Sequence, residues 1–280
     1  MSFQFTAEQL ARLRDLEAKA QELDLTFEEA DLRDQTFLRL QKRLTGQARQ
    51  KLEEIFQSGG RPLVESLSQK ISDQLVALGM IQVSTPIIMS RSRLSRMFSD
   101  DHPLPEEQVF WLDQKRCLRP MLAPHLYEYM LDLSRLRAER PFAVFEIGPC
   151  FRKESQGSKH ASEFTMLNLV EVGLKAQERQ GRLLQLAGEI FGQIGLEGWR
   201  VERVDSTVYG QTVDLVDHSG LELASCSMGP HPLDAKWGFS GTWLGLGFGL
   251  ERLAMSLAGL DRLSPVARGF GRLLGLPLNI

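Results

Sequence analysis

The chain has 280 residues, 42% of them hydrophobic and 25% charged, with a formal net charge of −3. That length can bury one large core or two smaller ones, and the charge excludes a strongly basic protein while leaving room for a local basic patch. No apolar run reaches the ~18 residues of a membrane helix. Glu8 and a charged helix stand where a secretory signal needs an apolar core, and Cys117, Cys150 and Cys226 form no CxxC pair. Those two features predict a reducing, cytoplasmic setting with free thiols.

The first sixty residues read as helical. Thr6 with Gln9, and Thr26 with Glu29, have the spacing of capping boxes. Leu10, Leu13 and Leu16 recur at helical spacing, and Gly59 and Gly60 are a stop signal. From Arg39 to Leu52 stand Arg39, Lys42, Arg43, Arg49 and Lys51 without one acid. These suit either a solvated helix face or a surface that tracks a phosphate backbone.

A further amphipathic helix is predicted over Pro62 to Leu78, ending at Gly79. Met80 to Met89 reads as a strand interrupted by Pro86. Proline lacks the ladder donor, so this strand belongs at an edge or bulge, and a partner subunit is one way to cover an edge. Arg91 to Ser99 reads as a short helix, Asp100 to Gln108 as an exposed loop, and Val109 to Asp113 as a strand. Pro124 suits the first turn of a helix with Leu126, Met130 and Leu133 on one face and Tyr127 close to it.

Two apolar runs, Phe142 to Ile147 and Phe164 to Val172, read as buried strands. The polar loop between them holds Arg152, Lys153, Glu154, Lys159, His160 and Glu163. A connection this long and this charged is functional or disordered. Arg152 and Glu154, two residues apart, are expected on one strand face. A guanidinium grips phosphate or carboxylate, a carboxylate accepts from an exocyclic amine, and the Phe164 ring can stack on a base. The set suits a nucleotide, although an ordinary salt-bridged hairpin loop would use the same residue types.

Ala176 to Gly195 reads as an amphipathic helix and Trp199 to Asp205 as a half-buried strand. Thr212 to Val216 and Leu221 to Met228 make two strands around a turn at His218 to Gly220. In Thr242 to Leu260, glycine alternates at Gly245, Gly247 and Gly249 before a helix, so a ligand or another backbone can approach closely. Arg252 sits near the positive end of that helix, a poor place for a cation unless an anion lies nearby. Several chemistries are excluded. There is no GxxxxGKS or GxxxxGKT phosphate loop, no GxSxG elbow, no HExxH and no clustered Cys/His pattern. GFGLER lacks dinucleotide-fingerprint spacing, and no internal repeat is found.

Three segments together carry a family resemblance. A Pro-bearing strand after a long helix, FRKE (Phe151 to Glu154) followed by a loop and FTMLN, and GFGLERL (Gly247 to Leu253) resemble the three motifs of class II aminoacyl-tRNA synthetases. More narrowly, CLRPMLAPHLY, FEIGPCFRKES, EFTMLN, VYG, LELAS, MGPHPLD and GFGLERL occur in the order found in pyrrolysyl-tRNA synthetases. The resemblance covers about residues 60 to 268. It implies an α+β fold, an antiparallel sheet flanked by helices, with an N-terminal helical segment (1–60) able to contact tRNA and a catalytic core (61–280). It also implies a homodimer formed through the first motif.

The site residues follow from the same resemblance. Arg152 would hold the α-phosphate and the substrate carboxylate, and Glu154 would accept from the adenine amine. Phe164 and Arg252 would sandwich the adenine, with His160 near the distal phosphates and Ala161, Met166 and Leu223 beside the ATP. Glu222 and Ser225 would ligate magnesium. Arg152 and Arg252 are the expected catalytic residues, working by positioning and charge neutralisation without a protein nucleophile. The amino-acid pocket would comprise Ala123, Leu126, Tyr127, Met130, Asn168, Val170, Trp243 and Gly245, with Tyr209 on a mobile lid. These types suit a long, apolar lysine derivative whose amide carbonyl bonds Asn168. On spacing alone, Leu126, Met130 and Val170 read as ordinary core.

The implied partners are a tRNA for pyrrolysine and a second copy of the chain; the split bacterial form adds a separate small tRNA-binding protein, which some members do without. Archaeal members carry that domain at their N-terminus, and they have Cys where this chain has Val170. The tail ARGFGRLLGLPLNI lacks the Ser and Tyr of relatives. A synthetase for phenylalanine or phosphoserine, or a non-catalytic tRNA-binding paralogue, stays open. Intact Arg152, Glu154, Glu222 and Arg252 argue against the paralogue, and the lack of an added cationic cluster beside Asn168 argues against phosphoserine.

Overall fold

The computed structural model describes residues 2–98, 103–137, 141–153, 160–206 and 210–280. Two compact units divide them: Met1–Pro62 with Gly269–Ile280, and Leu63–Arg268.

In the first unit, β1 (Phe3–Gln4) precedes α1 (Ala7–Asp15), α2 (Ala20–Leu23), β2 (Thr26–Phe27) and α3 (Ala30–Ser58). The capping box at the head of α1 forms as expected: Thr6 Oγ1 accepts from the Gln9 amide and Gln9 Oε1 accepts from the Thr6 amide. The second does not. Thr26 is drawn into extended backbone by pairing with Gln4, and α3 starts after Glu29 with no side-chain cap. Thr36, Leu40, Leu44, Ala48 and Leu52 form the buried stripe of α3 at four-residue spacing. Leu40 and Leu44 pack with Phe5, Leu13, Leu16 and Phe27. The C-terminal segment pairs Arg272–Leu273 with Leu276–Pro277, and Arg272 donates to Asp15.

The second unit begins with α4 (Leu63–Ala77), β3 (Ile81–Gln82), β4 (Ile88–Ser90), α5 (Arg91–Ser95), β5 (Arg116–Leu118) and α6 (Ala123–Leu136). It continues through β6 (Phe142–Phe151), β7 (Glu163–Val172), α7 (Arg179–Ile194), β8 (Arg200–Ser206), β9 (Gly210–Val216), β10 (Glu222–Gly229), α8 (Asp234–Trp237), β11 (Trp243–Gly249) and α9 (Leu250–Leu257). Its main sheet has the order β3-β6-β7-β11-β10-β9-β8. Every neighbouring pair is antiparallel except β3 with β6, so the sheet is mixed rather than purely antiparallel.

The Met80–Met89 run is two strands, not one. β3 lies at the sheet edge, while β4 pairs with β5 in a separate ladder beyond Pro86. Val109–Asp113 is not a strand either: its one ladder contact is the Trp111–Cys117 bridge, and Arg116–Leu118 takes the β4 pairing instead. The predicted helix after Ser90 is shorter, ending at Ser95.

Strand alternation then gives the sheet two faces. Leu167 and Leu169 of β7, and Leu244, Leu246 and Phe248 of β11, pack with Leu67, Ile71, Leu186, Ile190 and Leu253 of the helices beneath. The intervening residues form the opposite face, where the cleft lies.

Candidate active site

Strands β7 to β11 all contribute to the cleft floor. From β7 come Phe164, Met166, Asn168 and Val170, and from β11 Trp243, Gly245, Gly247 and Gly249. Cross-strand register sets Gly245 opposite Val170, Gly247 opposite Asn168 and Gly249 opposite Met166. The glycines thus leave room where their neighbours project: a Cβ on Gly247 would stand 3.2 Å from Asn168 Nδ2. The cleft encloses about 510 Å³, within the range of small-molecule sites.

One end is cationic. Arg152 lies just past β6, which ends at Phe151, and not on the strand as expected; the shared face with Glu154 falls outside the described residues. Its Nε donates to Pro120 O at 2.9 Å, and its guanidinium stands 5.1 Å from the Phe164 ring centroid. Glu154 and Tyr209 lie outside the described residues.

Behind Arg152 is a buried ion pair. Arg119 Nη1 donates to Glu146 Oε1 at 2.7 Å, both side chains being 2% exposed, and Arg119 Nε donates to Pro149 O. Thr85 Oγ1 donates to Glu146 Oε2 at 2.7 Å while accepting from Arg119. That hydroxyl has one proton, so the His125 Nδ1 at 2.9 Å must carry its own. Burial, helped by nearby Arg119, pushes the His125 pKa down and keeps the ring neutral. The backbone of Arg119 also accepts from the Phe151 amide. The pair therefore anchors the stretch whose next carbonyl orients Arg152. Gly148 is required beside it, because a Cβ there would overlap the Arg119 guanidinium.

The acidic side comes from β9 and β10. Glu222 and Ser225 are three apart, which on a regular strand puts them on opposite faces. A register shift between Glu222 and Ala224 inserts one residue and brings both to the cleft. Asp214, directly opposite Ser225, joins them. Burial pushes the Asp214 pKa up, opposed by a hydrogen bond from Ser225, and Asp214 Oδ1 is buried without a hydrogen-bond partner. Glu222 pairs with Arg252 at 2.9 Å, which answers the misplaced cation at the head of α9. Glu251 is buried and accepts from the Thr165 amide at 2.9 Å; burial raises its pKa.

The other end is apolar, walled by Ala123, Leu126, Tyr127 and Met130 of α6 together with Trp243. Behind the aromatic walls Tyr127 Oη donates to Asp234 Oδ1 at 2.9 Å and Trp243 Nε1 to Asp234 Oδ2 at 3.0 Å. Between the ends, Asn168 Oδ1 is buried and unpartnered.

Of the expected site residues, the structure brings Ala123, Leu126, Tyr127, Met130, Arg152, His160, Ala161, Phe164, Met166, Asn168, Val170, Glu222, Ser225, Trp243, Gly245 and Arg252 to one cleft. Among the described residues, Leu223 is the exception. It is 1% exposed and packs in the core beneath the sheet, because the bulge aims its neighbour Glu222 the other way. Sequence reasoning missed Thr212, Asp214, Ser227 and Glu251 in the lining, and Asp234 behind it. Thr212 and Asp214, two apart on an alternating strand, were discoverable; Asp234 had no comparable signal.

Residues 49–267 match the family described as tRNA synthetases class II core domain (F). The phenylalanine--tRNA ligase alpha subunit of Thermosynechococcus vestitus is 28% identical over 169 residues, 58% of this chain and 48% of that protein. That of Deinococcus radiodurans is 27% identical over 57% of this chain and 52% of its own. The chain thus spans about half the length of the curated relatives it matches. Two solved structures align end to end. Desulfitobacterium hafniense PylSc, a pyrrolysyl tRNA synthetase, is 42% identical with a TM-score of 0.91, covering 99% of this chain and 98% of that one. The pyrrolysyl-tRNA synthetase from the same organism is 43% identical with a TM-score of 0.92 and full coverage of both chains. With the family model spanning residues 49–267, most of its length, the chain belongs to the class II aminoacyl-tRNA synthetases.

Proposed function

We propose that this chain activates pyrrolysine with ATP and transfers it to an amber-decoding tRNA. One observation carries the proposal: a single cleft joins a cationic end, at Arg152 and Arg252, to a long apolar slot with one amide wall residue, Asn168. The end-to-end similarity to pyrrolysyl-tRNA synthetases supports it.

The roles are those that the resemblance to class II synthetases implies, and the chemistry of the residues agrees with them. The substrate carboxylate attacks the α-phosphorus of ATP, pyrophosphate leaves, and the aminoacyl group passes from the adenylate to the terminal adenosine of the tRNA. Arg152, fixed by Pro120 O, neutralises charge growing on the α-phosphate. Phe164 and Arg252 hold the adenine between them, Glu154 accepts from its amine, and His160 meets the distal phosphates. Magnesium suits the oxygen set of Glu222, Ser225 and the unpartnered Asp214 Oδ1. Bound there, the ion would offset charge on the triphosphate, and Glu222 would exchange its partner Arg252 for it. Asn168 orients the substrate through its side-chain amide, and Tyr209, outside the described residues, is the lid residue that the family resemblance implies.

The edge strand β3, with Ile81 exposed, and the exposed Ile87 and Ile88 would be covered by a second copy, giving a homodimer. Arg39, Lys42, Arg43, Arg49 and Lys51 are exposed along α3 and suit tRNA phosphates. A separate small tRNA-binding protein would add to that contact, in the cytoplasm.

A phenylalanine enzyme is the second reading, favoured by the aromatic walls Tyr127 and Trp243. The test is ATP–pyrophosphate exchange with a lysine carbamate and with phenylalanine, followed by charging of an amber-decoding tRNA. Exchange that depends on the carbamate supports the proposal. Exchange with phenylalanine alone overturns it.

A further inference from the structure

We propose that Asp234, which does not itself line the cleft, is a positioning residue that sets the shape of the amino-acid slot and hence the range of side chains accepted. The proposal rests on the slot being the amino-acid site. Asp234 is 3% exposed and accepts three hydrogen bonds from three separate places. Tyr127 Oη reaches Oδ1 from α6 at 2.9 Å, Trp243 Nε1 reaches Oδ2 from β11 at 3.0 Å, and the His231 amide reaches Oδ2 at 2.7 Å. All three donors are neutral groups, and they converge on one carboxylate.

The two aromatic donors are the walls of the slot. Their rings meet edge to face, with centroids 5.8 Å apart at 77°. Tyr127 also stacks on Trp237, one turn along α8 from Asp234, at 5.1 Å and 7°. The Trp243 indole lies over Gly229, where a Cβ would overlap the ring. The indole is therefore confined between a glycine that leaves it room and a carboxylate that takes its N–H. A purely packed aromatic cluster would need neither.

The chemistry also requires an acid at this position. The indole N–H and the His231 amide can only donate. An asparagine would turn its NH₂ toward one oxygen's partners, setting donor against donor. Charge-assisted hydrogen bonds are roughly twice as strong as neutral ones, so the carboxylate is the fixed point and the rings follow it. Wall residues that face a substrate would move if Asp234 changed, although Asp234 does not face the slot.

The test uses Asp234→Asn, Asp234→Ala and Tyr127→Phe in the full chain, with ATP–pyrophosphate exchange as the readout. In Asp234→Asn, KM for a lysine carbamate should rise about ten- to a hundredfold. KM for ATP should change less than about twofold, since the ATP end shares none of the three bonds. The kcat/KM ratio of carbamate over phenylalanine should fall by about tenfold or more. Tyr127→Phe should give a smaller shift of the same kind, and Asp234→Asn should add less on that background than alone. A loss of kcat with both KM values unchanged means a lower folded fraction and overturns the proposal, as does an unchanged substrate ratio. If the Asp234 variants do not fold, Tyr127→Phe decides, and an unaltered carbamate KM overturns it. Should the wild type activate phenylalanine and not the carbamate, the pyrrolysine assignment falls separately. The same two outcomes, read on the phenylalanine KM, then judge Asp234.

Discussion

The two ends of the cleft are held in place by different physics. At the cationic end, side chains at strand ends are tethered one bond at a time: Arg152 to a carbonyl, Arg252 to Glu222, Glu251 to an amide. At the apolar end the walls are buried rings that pack on one another and converge on one carboxylate. The first arrangement leaves charges available to a ligand and lets partners be exchanged. The second fixes a shape. A reaction that neutralises charge needs the first, and discrimination between side chains needs the second.

The largest effect should come from the buried pair that supports the charged end. Arg119→Met leaves the Glu146 carboxylate without its cation, and we expect a loss of about 3–5 kcal/mol in urea unfolding. A loss below about 1 kcal/mol would mean that the cationic end has no buried scaffold and that the contrast is superficial. Next is Arg152→Ala, expected to lower the exchange rate by about 10²–10³ with an unchanged circular dichroism spectrum. Near-normal exchange would remove Arg152 from the chemistry.

Asp217 sharpens the contrast through pH. Burial alone would raise its pKa, but hydrogen bonds from Ser219, Ser256 and the Leu221 and Ser219 amides outweigh it and hold the carboxyl at about 2. A depressed folded pKa contributes stability above the unfolded value, here 3.8, and that stability is lost as pH falls toward 2. Asp217→Asn should therefore cost about 2 kcal/mol at pH 7, with the difference from wild type vanishing below pH 2. A pH-independent difference would show that packing, not charge, anchors the turn before Glu222.

At the junction of the two ends, Asn168→Ala should reduce kcat/KM for a lysine carbamate about ten- to thirtyfold, leaving the ATP KM unchanged. An equal loss for every amino acid would make Asn168 structural. The smallest effect is expected outside the cleft. Replacing Lys42 and Arg43 by Ala should lower the salt slope of tRNA binding by about 2 without touching exchange, and an identical slope would leave these residues as a solvated face.

The cationic end was the more legible because a charge between apolar runs has few structural excuses. Arg152, Phe164 and Arg252 stand out on composition and spacing alone, and all three line the cleft. The strands carrying them were legible too, since Phe142–Ile147 and Phe164–Val172 are apolar over most of their length. Where alternation was broken, legibility ended. Glu222 and Ser225 look opposed until the bulge is seen, and the same bulge sends Leu223 into the core. Leu126, Met130 and Val170 look like core because they are buried like core. Asp234 sits between turn residues and a four-residue helix, and only tertiary structure brings Tyr127 and Trp243 to it. Thr26 was misread because a distant strand, Phe3–Gln4, claimed its backbone.

The three cysteines have a practical consequence. All are buried, and burial pushes the Cys117 thiol to about 11, the Cys150 thiol to about 12 and the Cys226 thiol higher still. Because the thiolate is the nucleophile, maleimide or iodoacetamide near neutral pH should leave the native fold unmodified. The natural chain is then already a blank background for site-specific labelling. A single cysteine introduced at an exposed position such as Leu136, 80% exposed at the end of α6, would carry a fluorophore or spin label alone, with the three native thiols left in place.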